Sequence, residues 1–129
     1  MIVLDVICSY LSPIIQNQLI DIIGKDIIQL SLIDEIKQAR FFSIMADEVT
    51  SHNVEEMALC VRFVDRQLNI REEFLDFVRL HRTTGKHLSS ALLSWLRDMG
   101  LDMSCLVGQG YDGAASMASD RVGLQKRIR

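Results

Sequence analysis

Apolar residues in the first third of the chain fall at three-and-four spacing. Ile15, Leu19, Ile22 and Ile23 lead up to Gly24, and Ile28, Leu32, Ile33 and Ile36 repeat the pattern up to Ala39. That spacing keeps one side of a helix apolar and predicts two amphipathic helices, or one bent at Gly24. Ser12-Pro13 supplies a start, with Ser12 able to cap free amides and Pro13 at the first helical position, where its missing N–H costs nothing. The texture then changes. Phe41-Phe42-Ser43-Ile44-Met45-Ala46 is a short bulky run that stops at Asp47-Glu48, which predicts a buried strand ending in acid. Met57, Leu59, Val61 and Phe63 alternate with Ala58, Cys60, Arg62 and Val64, giving a second strand, and Asp65 to Asn69 carries turn chemistry. Phe74, Asp76, Val78 and Leu80 alternate with Glu73, Leu75, Phe77 and Arg79, giving a third strand antiparallel to the second.

Thr83-Thr84-Gly85 breaks the alternation, after which Leu88, Ala91, Leu92, Trp95, Leu96 and Met99 trace one helix face. Gly100 stands where a left-handed cap closes such a helix. Cys105-Leu106-Val107 predicts a fourth strand that runs into Gly108-Gln109-Gly110-Tyr111-Asp112-Gly113, and Ala114 to Met117 begin a further helix. The order of helix, helix, three strands, helix, strand, helix predicts an α/β domain with a mixed sheet.

Composition narrows this picture. A chain of 129 residues with 49% hydrophobic and 24% charged residues, and Pro13 as its one proline, is that of a folded domain able to close one core. The net charge of −3 argues against a surface that holds nucleic acid by bulk electrostatics, so any DNA contact must be local. Arg121, Lys126, Arg127 and Arg129 form the one basic cluster, most simply a solvated helix face. Cys8, Cys60 and Cys105 are odd in number and widely spaced, which suggests neither a disulfide framework nor a metal clip and fits a reducing intracellular compartment. Asp5 interrupts the opening Met1-Ile2-Val3-Leu4 run, and no apolar stretch approaches bilayer length, so neither a signal peptide nor a membrane span is expected.

The chemistry concentrates in acids. Asp47 and Asp112 each follow a predicted strand, and in open α/β sheets that edge is where ligands bind. If the two strands are neighbours, the carboxylates converge. Two such charges repel by about 4 kcal/mol at 4 Å and an effective dielectric of 20, which favours an intervening divalent cation or one protonated acid. Hard oxygen donors suit Mg²⁺ or Mn²⁺ and phosphodiester transfer. The plainer account gives Asp47 a turn-capping role and Asp112 a place in a Gly-rich loop. Gly108-x-Gly110-x-x-Gly113 also satisfies the dinucleotide fingerprint, but the preceding strands read as a meander and no further acid-bearing strand follows. His52, His81 and His87 lack partners at zinc spacing and read as surface residues, and Trp95 reads as core.

Four blocks taken together closely resemble hAT-like transposases and their domesticated relatives, such as zinc finger MYM-type and THAP-linked proteins. They are Phe41 to Glu48, Leu59-Cys60-Val61-Arg62-Phe63-Val64-Asp65, Arg71-Glu72-Glu73-Phe74-Leu75, and Gly108 to Met117. The resemblance runs from about Ser12 to the end. It implies an incomplete ribonuclease-H-like domain over 40–129, β-β-β-α-β-α, preceded by a helical segment over 1–39. It further implies that Asp47 and Asp112 are catalytic metal ligands for Mg²⁺ or Mn²⁺, with Glu48, Gln109 and Ser116 as neighbours of a DNA substrate. The family's third acid, a glutamate on a later helix, matches no position here, which leaves open whether the chain is an enzyme. Ser51 and Ser116 depart from the family's usual Asp and Asn.

The resemblance implies a nuclear protein that acts on DNA, with no membrane and no small-molecule substrate, and allows a homo-oligomer. Two main readings follow: part of a transposase catalytic domain, inactive by itself, or a domesticated interaction module of a nuclear regulator. A decayed gene product is a third. An incomplete domain is expected to leave apolar sheet surface around Phe63, Leu75 and Phe77.

Overall fold

A computed structural model describes residues 12–82, 84–112 and 124–128. Cys8, Ser116, Arg121, Arg129 and the helix start expected at Ala114 to Met117 lie outside the described residues. The chain divides into two compact units, Met1–Leu32 and Ile33–Arg129.

The first unit contains helix α1, Pro13–Asp21, then a π-helical stretch, Ile22–Gln29, and the opening of α2, Leu30–Gln38. The bend expected at Gly24 is instead a widened helical segment around it. Pro13 holds the first helical position as expected, but Ser12 makes no side-chain cap bond; its carbonyl accepts from the Gln16 amide at 2.9 Å.

In the second unit, β1 (Phe42–Ser51), β2 (Val54–Val64) and β3 (Ile70–Arg79) form an antiparallel meander. The chain then crosses through α3 (Gly85–Asp98) to β4 (Leu106–Tyr111), which lies parallel to β1. The sheet order is β3-β2-β1-β4. A short helix, α4, spans Leu124–Ile128.

Three local devices set this sheet. His52 and Asn53 join β1 to β2 with φ of 49° and 61°, and positive φ at both central residues is the primed turn whose twist suits a hairpin. β1 therefore does not stop at Ala46, as the apolar run suggests, but continues to Ser51. Between β2 and β3, the Asp65 carboxylate accepts from the amides of Gln67 (2.9 Å) and Asn69 (2.8 Å) and from Asn69 Nδ2 (3.2 Å). These bonds hold its carboxyl below the usual carboxylate range. Finally, the β2–β3 register shifts at Leu59/Cys60, so Leu75 is an extra residue beside Asp76. The bulge keeps Leu75 buried and turns Phe74 and Phe77 outward, 50% and 51% exposed, with ring centroids 4.8 Å apart. The exposed apolar surface is thus not that expected from the sequence: Phe63 and Leu75 are buried, and Phe74 joins Phe77 outside.

The core lies on one face of the sheet. Phe42, Ile44 and Ala46 of β1 and Met57, Leu59, Val61 and Phe63 of β2 are all buried. Leu88, Leu92 and Leu96 on one side of α3 are fully buried, as its three-and-four spacing requires. Trp95 packs with them while its indole N–H donates to Asp76 Oδ2 at 2.9 Å, which satisfies the polar end of a buried ring. Gly100, at φ 67°, closes α3 as the sequence predicts. The Leu101 amide reaches back to the Leu96 carbonyl and the Gly100 amide to that of Arg97, both at 2.9 Å. On β3, Arg71 joins Glu73 at 2.7 Å, pairs with Glu35 of α2, and stacks its guanidinium 5.4 Å over Phe63.

Candidate functional site

The site is built by the only parallel strand pair among the described residues, β1 with β4. Its register runs Ser43↔Gly108, Ile44↔Gln109, Met45↔Gly110 and Ala46↔Tyr111, so the next residue is Asp47 within β1 and Asp112 just past the end of β4. Alternation then decides the faces. Ile44 and Ala46 are buried, which sends Ser43, Met45 and Asp47 to the opposite side. The glycines agree: a Cβ on Gly108 would meet Ser43 Oγ at 2.5 Å, and one on Gly110 would meet Met45 Cγ at 3.1 Å. Gly108 and Gly110 therefore share the Ser43 and Met45 face, and the same alternation carries Asp112 to the face of Asp47. Both acids are exposed.

Asp47 is not at the end of its strand. It pairs with Ala58 across the β1–β2 hairpin, and what ends beside it is the β1–β4 pairing. The predicted loop at Gly108 and Gly110 is strand. Glycine's weak preference for strands is overruled here because Ser43 and Met45 lean across the space that side chains at those positions would fill.

Glu48 and Gln109 go elsewhere. Glu48 pairs with buried Met57, which assigns it to the core face. Gln109 shares that face with Ile44, and its Oε1 accepts from the Tyr111 hydroxyl at 2.7 Å. Burial pushes the Tyr111 hydroxyl up to about 12. The sequence thus gathers five substrate-side candidates; Asp47 and Asp112 both follow the last β1–β4 pair, Glu48 and Gln109 belong to the other face, and Ser116 lies outside the described residues.

Chemically, the pair offers two hard oxygen donors on one sheet face, where strands stand about 4.8 Å apart. At such a spacing in water, like charges repel by only about 1 kcal/mol. Exposed carboxylates coexist there without a cation, so repulsion alone does not demand one. A divalent ion does fit the donor chemistry, since Mg²⁺ and Mn²⁺ are commonly held by one or two carboxylates and otherwise by water and substrate oxygens. No group of three or more metal-ligating side chains occurs among the described residues. Cys60 and Cys105 are free thiols, and burial raises that of Cys60.

A three-strand meander continued by a parallel strand at the far side of β1, with acids where the parallel pairing ends, defines the class: an RNase-like α/β domain. Residues 7–123 match the family described as DUF4371: ZMYM1/FAM200, RNase-like domain, and the chain belongs to that family. The human 52 kDa repressor of the inhibitor of the protein kinase is 30% identical over 115 residues, covering 88% of this chain and 15% of that protein. General transcription factor II-I repeat domain-containing protein 2 of Bos taurus is 28% identical over 98 residues, covering 74% of this chain and 10% of that protein. No solved structure matches. The chain is a transposase-derived RNase-like domain of the kind carried by domesticated relatives with repressor and transcription-factor names.

Proposed function

We propose that the chain contributes the first two carboxylates, Asp47 and Asp112, to a divalent-cation site of the nuclease type, within a nuclear DNA-transacting protein of hAT-like ancestry. The observation that carries this reading is the β1–β4 register, in which the two acids follow the Ala46↔Tyr111 pair on adjacent parallel strands. When bound, Mg²⁺ or Mn²⁺ supplies Lewis-acid activation of an attacking hydroxyl and stabilisation of a leaving phosphodiester oxygen. The chain's own part is to aim two oxygen donors at one place from a rigid sheet, with bare glycine backbone at Gly108 and Gly110 on the same face. Cleavage itself requires a further acid, so the chain alone binds the ion weakly and does not cut DNA.

Paramagnetic Mn²⁺ tests the site without relying on activity. Broadening of backbone NMR signals should centre on Ala46–Asp47 and Tyr111–Asp112 and vanish in Asp47→Asn and Asp112→Asn. Broadening centred elsewhere, or surviving both substitutions, rejects the assignment. The relatives' names favour a second reading, a regulatory module that keeps the acids without chemistry. In the full-length protein, the same substitutions abolish strand cleavage under the first reading and leave its regulatory activity intact under the second.

A further inference from the structure

At the Phe42 end of β1, a cleft of about 640 Å³ opens between the last turn of α2, the Arg40–Phe41 link and the β2–β3 turn. That volume lies within the range of small-ligand pockets. Its apolar lining is unusually bare: Phe41, Val64 and Leu68 are 48%, 47% and 83% exposed, while Phe63 beside them is buried. Leu68 also sits at φ 66°, a conformation that disfavours a leucine, and the Asp65 bonds to Gln67 and Asn69 hold the turn that displays it.

The charges around the cleft are unequally engaged. Of its acids, Glu35 is paired with Arg71, and Asp65 is taken up by its own turn. Of its cations, Arg40 rests 5.3 Å over the Phe41 ring, and neither Arg40 nor Arg66 forms an ion pair among the described residues. What is left is an apolar recess flanked by two guanidinium groups open to carboxylates.

Two observations identify the occupant. A nucleic acid needs a run of cations to neutralise its phosphates, whereas here two guanidiniums stand beside two carboxylates in a chain of net charge −3. Strand addition at this wall is also closed, because Phe63 and Val64 belong to β2, which pairs with β1 on one side and β3 on the other. The ligand must be read by side chains. We propose that the cleft binds a short acidic segment of a partner protein, which inserts a large apolar side chain between Phe41, Val64 and Leu68 and meets Arg40 and Arg66 with flanking carboxylates. The proposal stands apart from the carboxylate pair: neither Asp47 nor Asp112 takes part.

Selection of random dodecapeptides displayed on phage against the purified chain, followed by anisotropy measurements on enriched peptides, tests this. The enriched sequences should carry Asp or Glu beside Leu, Phe or Trp. An R40E/R66E variant should bind them about ten-fold or more weakly, as expected when charges meet like charges at an interface, and peptides with Lys in place of the acids should recover binding to that variant. Leu68→Ser, which leaves every charge in place, should weaken binding as well. Unchanged thermal unfolding of each variant assigns the loss to the cleft. Absence of enrichment, enriched peptides without the acidic and apolar pairing, or affinity unmoved in R40E/R66E overturns the proposal. So does oligothymidylate that outcompetes every selected peptide and loses its own binding in R40E/R66E, which would assign the cleft to nucleic acid.

Discussion

Replacing Gly108 by alanine tests the close fit between β1 and β4 on which the acid pair depends. The added Cβ would lie 2.5 Å from Ser43 Oγ and 3.1 Å from Ser43 Cβ. The hydroxyl can rotate away, but the Ser43 Cβ is fixed to the backbone, so the strands must separate by a few tenths of an ångström. Overpacking of this kind costs about 1–3 kcal/mol. Loss of glycine's freedom in the unfolded chain returns about 0.4–1 kcal/mol. The expected net loss is therefore about 0–2.6 kcal/mol, centred on about 1.3 kcal/mol, read by urea unfolding from the fluorescence of Trp95, the single tryptophan. Ser43→Gly removes both clashing atoms, so in a double-mutant cycle G108A should cost less in the S43G background than alone. Mn²⁺ affinity should follow stability, falling in G108A and recovering in the double variant. A stabilising G108A, or strict additivity with S43G, would refute the idea that these two strands are held at glycine-limited distance.

Two further outcomes are expected. Trp95→Phe removes the donor to Asp76 Oδ2 and should cost about 1–3 kcal/mol, non-additively with Asp76→Ala, in urea unfolding followed by far-UV circular dichroism. The Tyr111 hydroxyl, pushed up to about 12 in the folded chain, lies above its ordinary value of 10.0. Its neutral form is thus favoured by folding. The stabilisation is complete below about pH 10, where both states keep the proton, and is lost as pH climbs toward about 12 and the unfolded chain ionises. Stability measured across that window should fall more steeply in the native chain than in Tyr111→Phe; parallel slopes would contradict it.

Much of the fold was legible because its signals were local. The alternation through Met57, Leu59, Val61 and Phe63, the helix face carrying Leu88, Leu92 and Leu96, and the cap at Gly100 each report burial or backbone geometry within one element. What escaped depended on a neighbour. The far half of β1 was hidden because its turn uses His52-Asn53 and not a glycine pair, and the Val49-Thr50-Ser51 stretch lacks bulk. Gly108 and Gly110 look like loop until Ser43 and Met45 are seen filling their space. The bulge at Leu75 inverts the apparent faces of β3, because one extra residue changes which side chains point inward. For the candidate site, Asp112 was readable as an acid that follows a strand, whereas Asp47 stands inside β1, and the departure of Glu48 and Gln109 to the other face follows from interstrand register alone. The cleft at Arg40 and Arg66 gave no sequence motif, since its walls come from three separate segments.

The acid pair rests on parity. Asp47 and Asp112 each lie four positions beyond the Ser43↔Gly108 pair, an even count on both strands. A single residue gained or lost within either stretch would swing one carboxylate through the sheet, and on β1 it would also disturb the facing of buried Ile44 or Ala46. Length variation inside these two segments is therefore decisive for the pair, so a relative with an odd offset on one strand has forfeited the site even if both aspartates survive in its sequence.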